Sequence, residues 1–101
     1  MAVIHELKIN PEYFVEVKDG RKKAELRKAD REFLRGDYLL LREWNGYRFD
    51  RQLPVKVTHI LPVRDFIPGG DDWVIMSFRM VTLDDISEII SAKVNDAGES
   101  L

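Results

Sequence analysis

The sequence predicts a small α+β domain whose sheet is strongly curved or barrel-like. Three observations carry this. The 101 residues suit one hydrophobic core and are too few for two. Five or more short segments carry strand patterning, against two with helical spacing. So many short strands with so few helices need curvature or closure to hide their edges. A single domain over residues 1–94, followed by a frayed tail at 95–101, is the organisation expected.

Each element follows from local chemistry. Residues 3–9, VIHELKI, alternate as a first strand with Val3, His5, Leu7 and Ile9 on one face. NPEYFVEVKDG then reads as one short helix: Asn10 caps it, Pro11 fits the first helical position, Phe14 and Val17 share a face, and Gly20 stops it. Residues 22–28 are extended, with Lys23, Glu25 and Arg27 on one side and the apolar Ala24 and Leu26, which should anchor the strand, on the other. DREFLRGD turns around Gly36 into the apolar strand YLLLREW, 38–44. Asn45-Gly46 predicts a type I′ hairpin, which needs positive φ at both residues. Its partner strand is interrupted near Pro54, because proline cannot donate to a ladder. It resumes over 55–61 with Val55, Val57, His59 and Leu61 together. Residues 62–72 have loop chemistry and the length to cover a site, and WVIMSFRM, 73–80, is a hydrophobic strand. From Thr82 a C-terminal helix is predicted, with Leu83, Ile86, Ile90 and Val94 at helical spacing.

Composition narrows the chemistry. An apolar share of 45% with 34% charged residues is ordinary for a globular chain. No apolar run approaches the roughly 20 residues of a spanning helix, and the start lacks the layout of a signal peptide, so a cytoplasmic protein with no membrane partner is expected. With no cysteine, disulfides, thiolate zinc sites and thiol nucleophiles are excluded. Two distant histidines make no metal signature, and neither metal nor cofactor is predicted.

The net charge of −2 conceals an asymmetry. Residues 18–35 hold eight basic side chains against four acidic ones, so the remainder of the chain is strongly acidic. Such a strip steers anions even on a mildly acidic protein. On a strand, Lys23, Glu25 and Arg27 stand in a row with about 7 Å between neighbours. Either Glu25 orients Arg27 in a fork that leaves cationic groups for an anion, or the three neutralise one another on a solvated edge.

The stretch HELKINPEYFVEVKDGRKKAELRKADREFLRGDYLLLREW resembles the ASCH branch of the PUA-like superfamily, in particular a small ASCH-like family held to bind RNA. The resemblance rests on the first strand, the helix ending in Gly20, the basic segment Arg21, Lys22, Lys23, Glu25 and Arg27, and the Phe33, Gly36, Asp37 turn. It implies a PUA-like curved β-barrel of five or six mostly antiparallel strands, a helix after the first strand and a C-terminal helix. It also implies a cleft, between barrel and helix, that receives RNA or a nucleotide-like ligand. Lys22, Lys23, Glu25, Arg27, Lys28, Arg31 and His5 are the candidate contacts, with Lys and Arg drawing phosphate. Tyr13, Trp44, Tyr47 and Trp73 are candidates for stacking.

Two other readings stand beside an RNA- or nucleotide-binding module. The bacterial acetylcytidine amidohydrolases are similar in the same segment, which implies hydrolysis of a modified nucleoside. Lys22 matches their lysine, but Glu25 stands where their threonine nucleophile would be, so any catalysis would rest on Lys22 and Glu25 with Glu25 as general base. The third reading is a small regulatory protein of bacterial or phage origin that meets an acidic protein partner. His5 and His59 lie on apolar strand faces, where a hydrogen-bonded structural histidine is the simpler role.

Overall fold

Alternation along the chain lays down the strands, and they curl into a half-barrel, with register shifts between Arg42 and Trp44 and between Val57 and His59. The computed structural model describes residues 2–95. The elements are β1 (Val3–Ile9), α1 (Pro11–Lys18), β2 (Ala24–Lys28), β3 (Tyr38–Trp44), β4 (Phe49–Pro62), β5 (Trp73–Met80), α2 (Ile86–Ser91) and β6 (Lys93–Asn95), with 3-10 turns at Val63–Asp65 and Leu83–Asp85. They form one six-stranded mixed sheet in the order β2-β5-β4-β3-β1-β6. β1 runs parallel to both β3 and β6, and the other three pairings are antiparallel.

The core lies on the concave side. Leu7, Ile9, Phe14, Val17, Leu39, Leu41, Val55, Val57, Met76 and Phe78 form its centre. α1 contributes through the two residues expected to share a face, Phe14 and Val17. Gly20 follows the helix with φ +79°, the left-handed conformation that only glycine adopts without strain.

Several expectations are corrected. Gly46 has positive φ but Asn45 does not, so the hairpin is not a type I′ turn. The Asn45 side-chain oxygen instead accepts from the backbone N–H groups of Tyr47 (2.8 Å) and Arg48 (3.1 Å), closing a four-residue loop in which Asn acts as the turn former. β4 runs unbroken through Pro54. The pairing with β5 ends at Val55↔Met80, so on that edge position 54 has no ladder partner to lose. A bulge between Val57 and His59 resets the alternation, so His59 is exposed and Ile60 packs on the core in its place.

The C-terminal helix is shorter than its pattern. Leu83–Asp85 is a 3-10 turn, α2 ends at Ser91, and Val94 lies in β6 rather than on the helix. Leu83, Ile86 and Ile90 do not form the buried stripe their spacing suggests; Ile90 is 79% exposed. What holds this segment is polar, as described below. Of the expected tail, Asn95 is the last residue of β6, and 96–101 lie outside the described residues.

Candidate functional site

The two ends of the sheet leave a seam. β2 is an edge strand, and β6 covers β1 only along Val3–His5, so Lys8 and Ile9 run past their last partner on that side. Between β2 and this end of β1 opens a groove of about 660 Å³, within the range of small-ligand sites. Its walls are unlike. One is built from Lys8, Ile9 and Asn10 at the end of β1 and from Tyr13 on α1; the other from β2 and Trp73, with Lys22 and Glu25 between them.

Glu25 organises the groove. Its Oε1 takes the Lys22 ammonium at 2.8 Å, and its Oε2 takes Arg27 twice, from Nε at 2.9 Å and Nη2 at 2.8 Å. Lys22 also donates to the Ala24 carbonyl, and Arg27 Nη2 donates across the seam to the carbonyl of Lys8. The Glu25 and Arg27 side chains are 9% and 8% exposed, so this is a buried, mutually satisfied cluster and not a solvated edge.

The row read from the sequence is therefore displaced. Glu25 and Arg27 turn inward, while Leu26, expected to anchor β2, is 56% exposed. Alternation reveals the period of a strand but not which face the tertiary fold turns inward. Lys23 precedes β2, is exposed and lines a separate small cavity beside Val17 and Phe78, so Lys22 takes the place it was expected to hold. Lys28 lines the groove opposite the β1 wall. Arg31 lies beyond β2, 3.3 Å from Asp30 and 5.8 Å from the Phe33 ring centre, and is not part of the groove.

His5 is also elsewhere. It is 1% exposed, its Nε2 lies 2.8 Å from Asp37 Oδ2, and its ring packs edge-on to Phe33 at 4.8 Å. Asp37 further accepts from the backbone N–H of Val3 (3.1 Å) and Leu34 (3.0 Å), so the pair ties the loop after β2 to β1. Asp37, which follows Gly36, is thus a structural acceptor.

Of the four aromatic candidates, Tyr13 (48% exposed) and Trp73 (40%) line the groove. The Lys22 ammonium lies 5.9 Å from the Tyr13 ring centre. Trp44 instead packs on Phe49 at 4.8 Å beneath the Lys8 ammonium, and Tyr47 projects from the hairpin. Among the described residues the groove thus holds four cations, Lys8, Lys22, Arg27 and Lys28, against the single carboxylate of Glu25. Lys8 and Asn10 were not legible as site residues. Lys8 sits on the polar side of an ordinary alternation, and Asn10 reads as a helix cap, yet its side chain makes no capping hydrogen bond.

A second polar cluster lies under the C-terminal segment. Asp85 accepts from Arg79 Nη1 at 2.9 Å and Nη2 at 3.1 Å and from the Thr82 N–H at 2.8 Å; these hold its carboxyl far below the usual range. Tyr38 donates to Glu88 at 2.5 Å, and burial followed by the nearby carboxylates pushes its phenol far up. The bonds from Tyr38 and Lys56 lower Glu88 in turn. These ties, rather than apolar burial, fasten α2 to the sheet.

Fold and groove together define a small α+β domain with a curled sheet and a basic, aromatic-flanked seam. A family model described as a domain of unknown function, DUF3850, matches residues 4–78, a span that contains every residue lining the groove. The chain belongs to this DUF3850 family. It is also similar to the "uncharacterized 12.9 kDa protein in GpA 3′region" of Escherichia phage P2, with 39% identity over 77 residues, 75% of this chain and 68% of the phage protein. No helix among the described residues is long and apolar enough to cross a membrane.

Proposed function

We propose that the groove binds RNA or a small nucleotide, in single-stranded form. The observation that carries this reading is the combination of two half-exposed aromatic rings, Tyr13 and Trp73, with four cations against one carboxylate. Aromatic faces accept any base, and the cations attract the phosphate that accompanies it. The likeness of the basic segment to ASCH domains of the PUA-like superfamily supports the same reading. The dimensions favour a single strand or one nucleotide over a duplex. Hydrolysis of a modified nucleoside has less support: both Glu25 oxygens are engaged by cations, and among the described residues those lining the groove include no serine, threonine or cysteine.

The test is titration of labelled single-stranded RNA at low and moderate salt. Wild-type affinity should fall as salt rises, because phosphate contacts release counterions. Trp73→Ala should weaken binding by about tenfold or more, the scale of one lost stacking contact. Lys23→Ala, outside the groove, should bind nearly as wild type. No binding by wild type at either salt overturns the proposal and redirects attention to an acidic protein partner.

A further inference from the structure

Resting on that reading, we infer that the groove takes a phosphate-bearing nucleotide and not a neutral nucleoside, with Asn10 contacting the base edge and Lys28 the phosphate. Most charged groups in the groove are already committed. Glu25 is shared between Lys22 and Arg27, and Arg27 also spans the seam to Lys8, so these three form the inner frame of the site. The Lys8 ammonium lies 5.1 Å over the Trp44 ring. Lys28 makes no ion pair or hydrogen bond through its side chain among the described residues. Its charge therefore faces the groove without a protein counter-charge, and the one carboxylate present is already bridged by two other cations.

Asn10 stands in the same position on the facing wall. It occupies the N-cap of α1, where its side chain would normally accept a backbone N–H, but it makes no such bond. Pro11 opens the helix, and the Tyr13 N–H, one of the donors a cap side chain serves, goes to the Asn10 backbone carbonyl at 3.1 Å instead. The amide is left with a donor and an acceptor in one plane, the complement of the adjacent donor and acceptor on a nucleobase edge. Each wall thus carries one aromatic ring and one uncommitted polar group: Tyr13 with Asn10, and Trp73 with Lys28, which are paired neighbours across β2 and β5. A base between the rings places its edge toward Asn10 and its phosphate toward Lys28.

Both side chains can be removed without disturbing an internal bond, so loss of binding can be separated from loss of folding. The experiment measures, by calorimetry, the affinity of wild type, Lys28→Ala and Asn10→Ala for AMP, CMP, GMP and UMP and for the four matching nucleosides, with single-stranded RNA titrated in parallel. Wild type should bind at least one monophosphate about tenfold or more tighter than its nucleoside, the scale of a charge-assisted contact. Lys28→Ala should bring that monophosphate down to the affinity of its nucleoside. Asn10→Ala should weaken nucleotide and nucleoside by a common factor while leaving the gap between them. If strand binding is intact but nucleosides match monophosphates in wild type, or Lys28→Ala preserves the gap, or Asn10→Ala changes nothing, the inference fails and the groove reading stands. If the strand does not bind at all, the groove reading itself fails and the inference with it.

Discussion

Glu25 shows how one residue decides the chemistry around it. With Lys22 on one oxygen and Arg27 on the other, its charge is what makes two inward-facing cations tolerable. Glu25→Gln keeps the shape and removes the charge, leaving Lys22 and Arg27 without their counterion. We expect a loss of about 3 kcal/mol, within the range for breaking a buried ion pair from one side, read as a lowered urea midpoint with unchanged slope. An unchanged midpoint would show that the cluster is not a stabilising clamp. Asp37 is the other single residue with several dependants, accepting from Val3, Leu34 and His5. Asp37→Ala strands those donors at a site 4% exposed, and a cost of at least about 2 kcal/mol follows from unsatisfied buried donors alone. Thermal denaturation should show it as a fall of the order of 10 °C for a domain this size. Lys22, Glu25, Arg27 and Lys28 were legible in the sequence because charge clusters there. Asn10 was not, because an asparagine before a helical proline is first of all a cap.

At the level of elements, the segment from β4 to β5 positions Trp73, one of the two aromatic rings of the groove. Its backbone closes on itself through Phe66 N–H to Val63 carbonyl (3.0 Å), Gly70 N–H to Ile67 carbonyl (3.1 Å) and Trp73 N–H to Gly70 carbonyl (3.1 Å). Trp73 is thus delivered to the groove by a turn that depends on Gly70. A Cβ at Gly70 would lie 2.6 Å from Val63 Cγ1 and 3.1 Å from the Val63 backbone carbon. Gly70→Ala is expected to destabilise by about 1–3 kcal/mol through overpacking and, by displacing the turn, to weaken RNA binding while Tyr13 and Asn10 remain untouched. Parallel denaturation and titration would test this; full stability with full binding would contradict it. Residues 62–72 have the length to cover a site, yet it is Trp73, just past them, that reaches the groove. The bulge after Val57 is the other element-scale device. It turns β4 and moves His59 out of the core, a change that strict alternation cannot reveal because one extra residue reverses every side chain after it.

For the whole molecule, the polar ties on the acidic side set the response to pH. Asp85 is held low by its bonds to Arg79 and Thr82, Glu43 by Arg51, and Glu88 by Tyr38 and Lys56. In the unfolded chain such carboxylates titrate near 4. Folded values below that mean that the unfolded state takes up protons first, so their stabilisation is complete above about pH 5 and is lost as pH falls through 4 toward the depressed folded values. Urea midpoints should therefore drop between pH 5 and pH 2, and Asp85→Asn should lower the midpoint at pH 7 and shrink the drop. A wild-type midpoint that stays level to pH 2 would contradict this account.

The class of fold, the positions of most strands and α1, and the charge of the segment that walls the groove are all legible along the chain. Each of these depends on period, turn chemistry or composition within a few residues, which the chain carries locally. Long-range packing sets the rest: β2 turns its charged face inward, Lys22 rather than Lys23 meets Glu25, His5 serves Asp37, and Asn10 and Lys28 line one groove. These depend on contacts such as Arg27 with the Lys8 carbonyl, 19 residues apart in sequence, and on how far the sheet curls. Curl is set by the bulge, the open seam and the packing of Phe14 and Val17 together, and no single stretch of the chain specifies it.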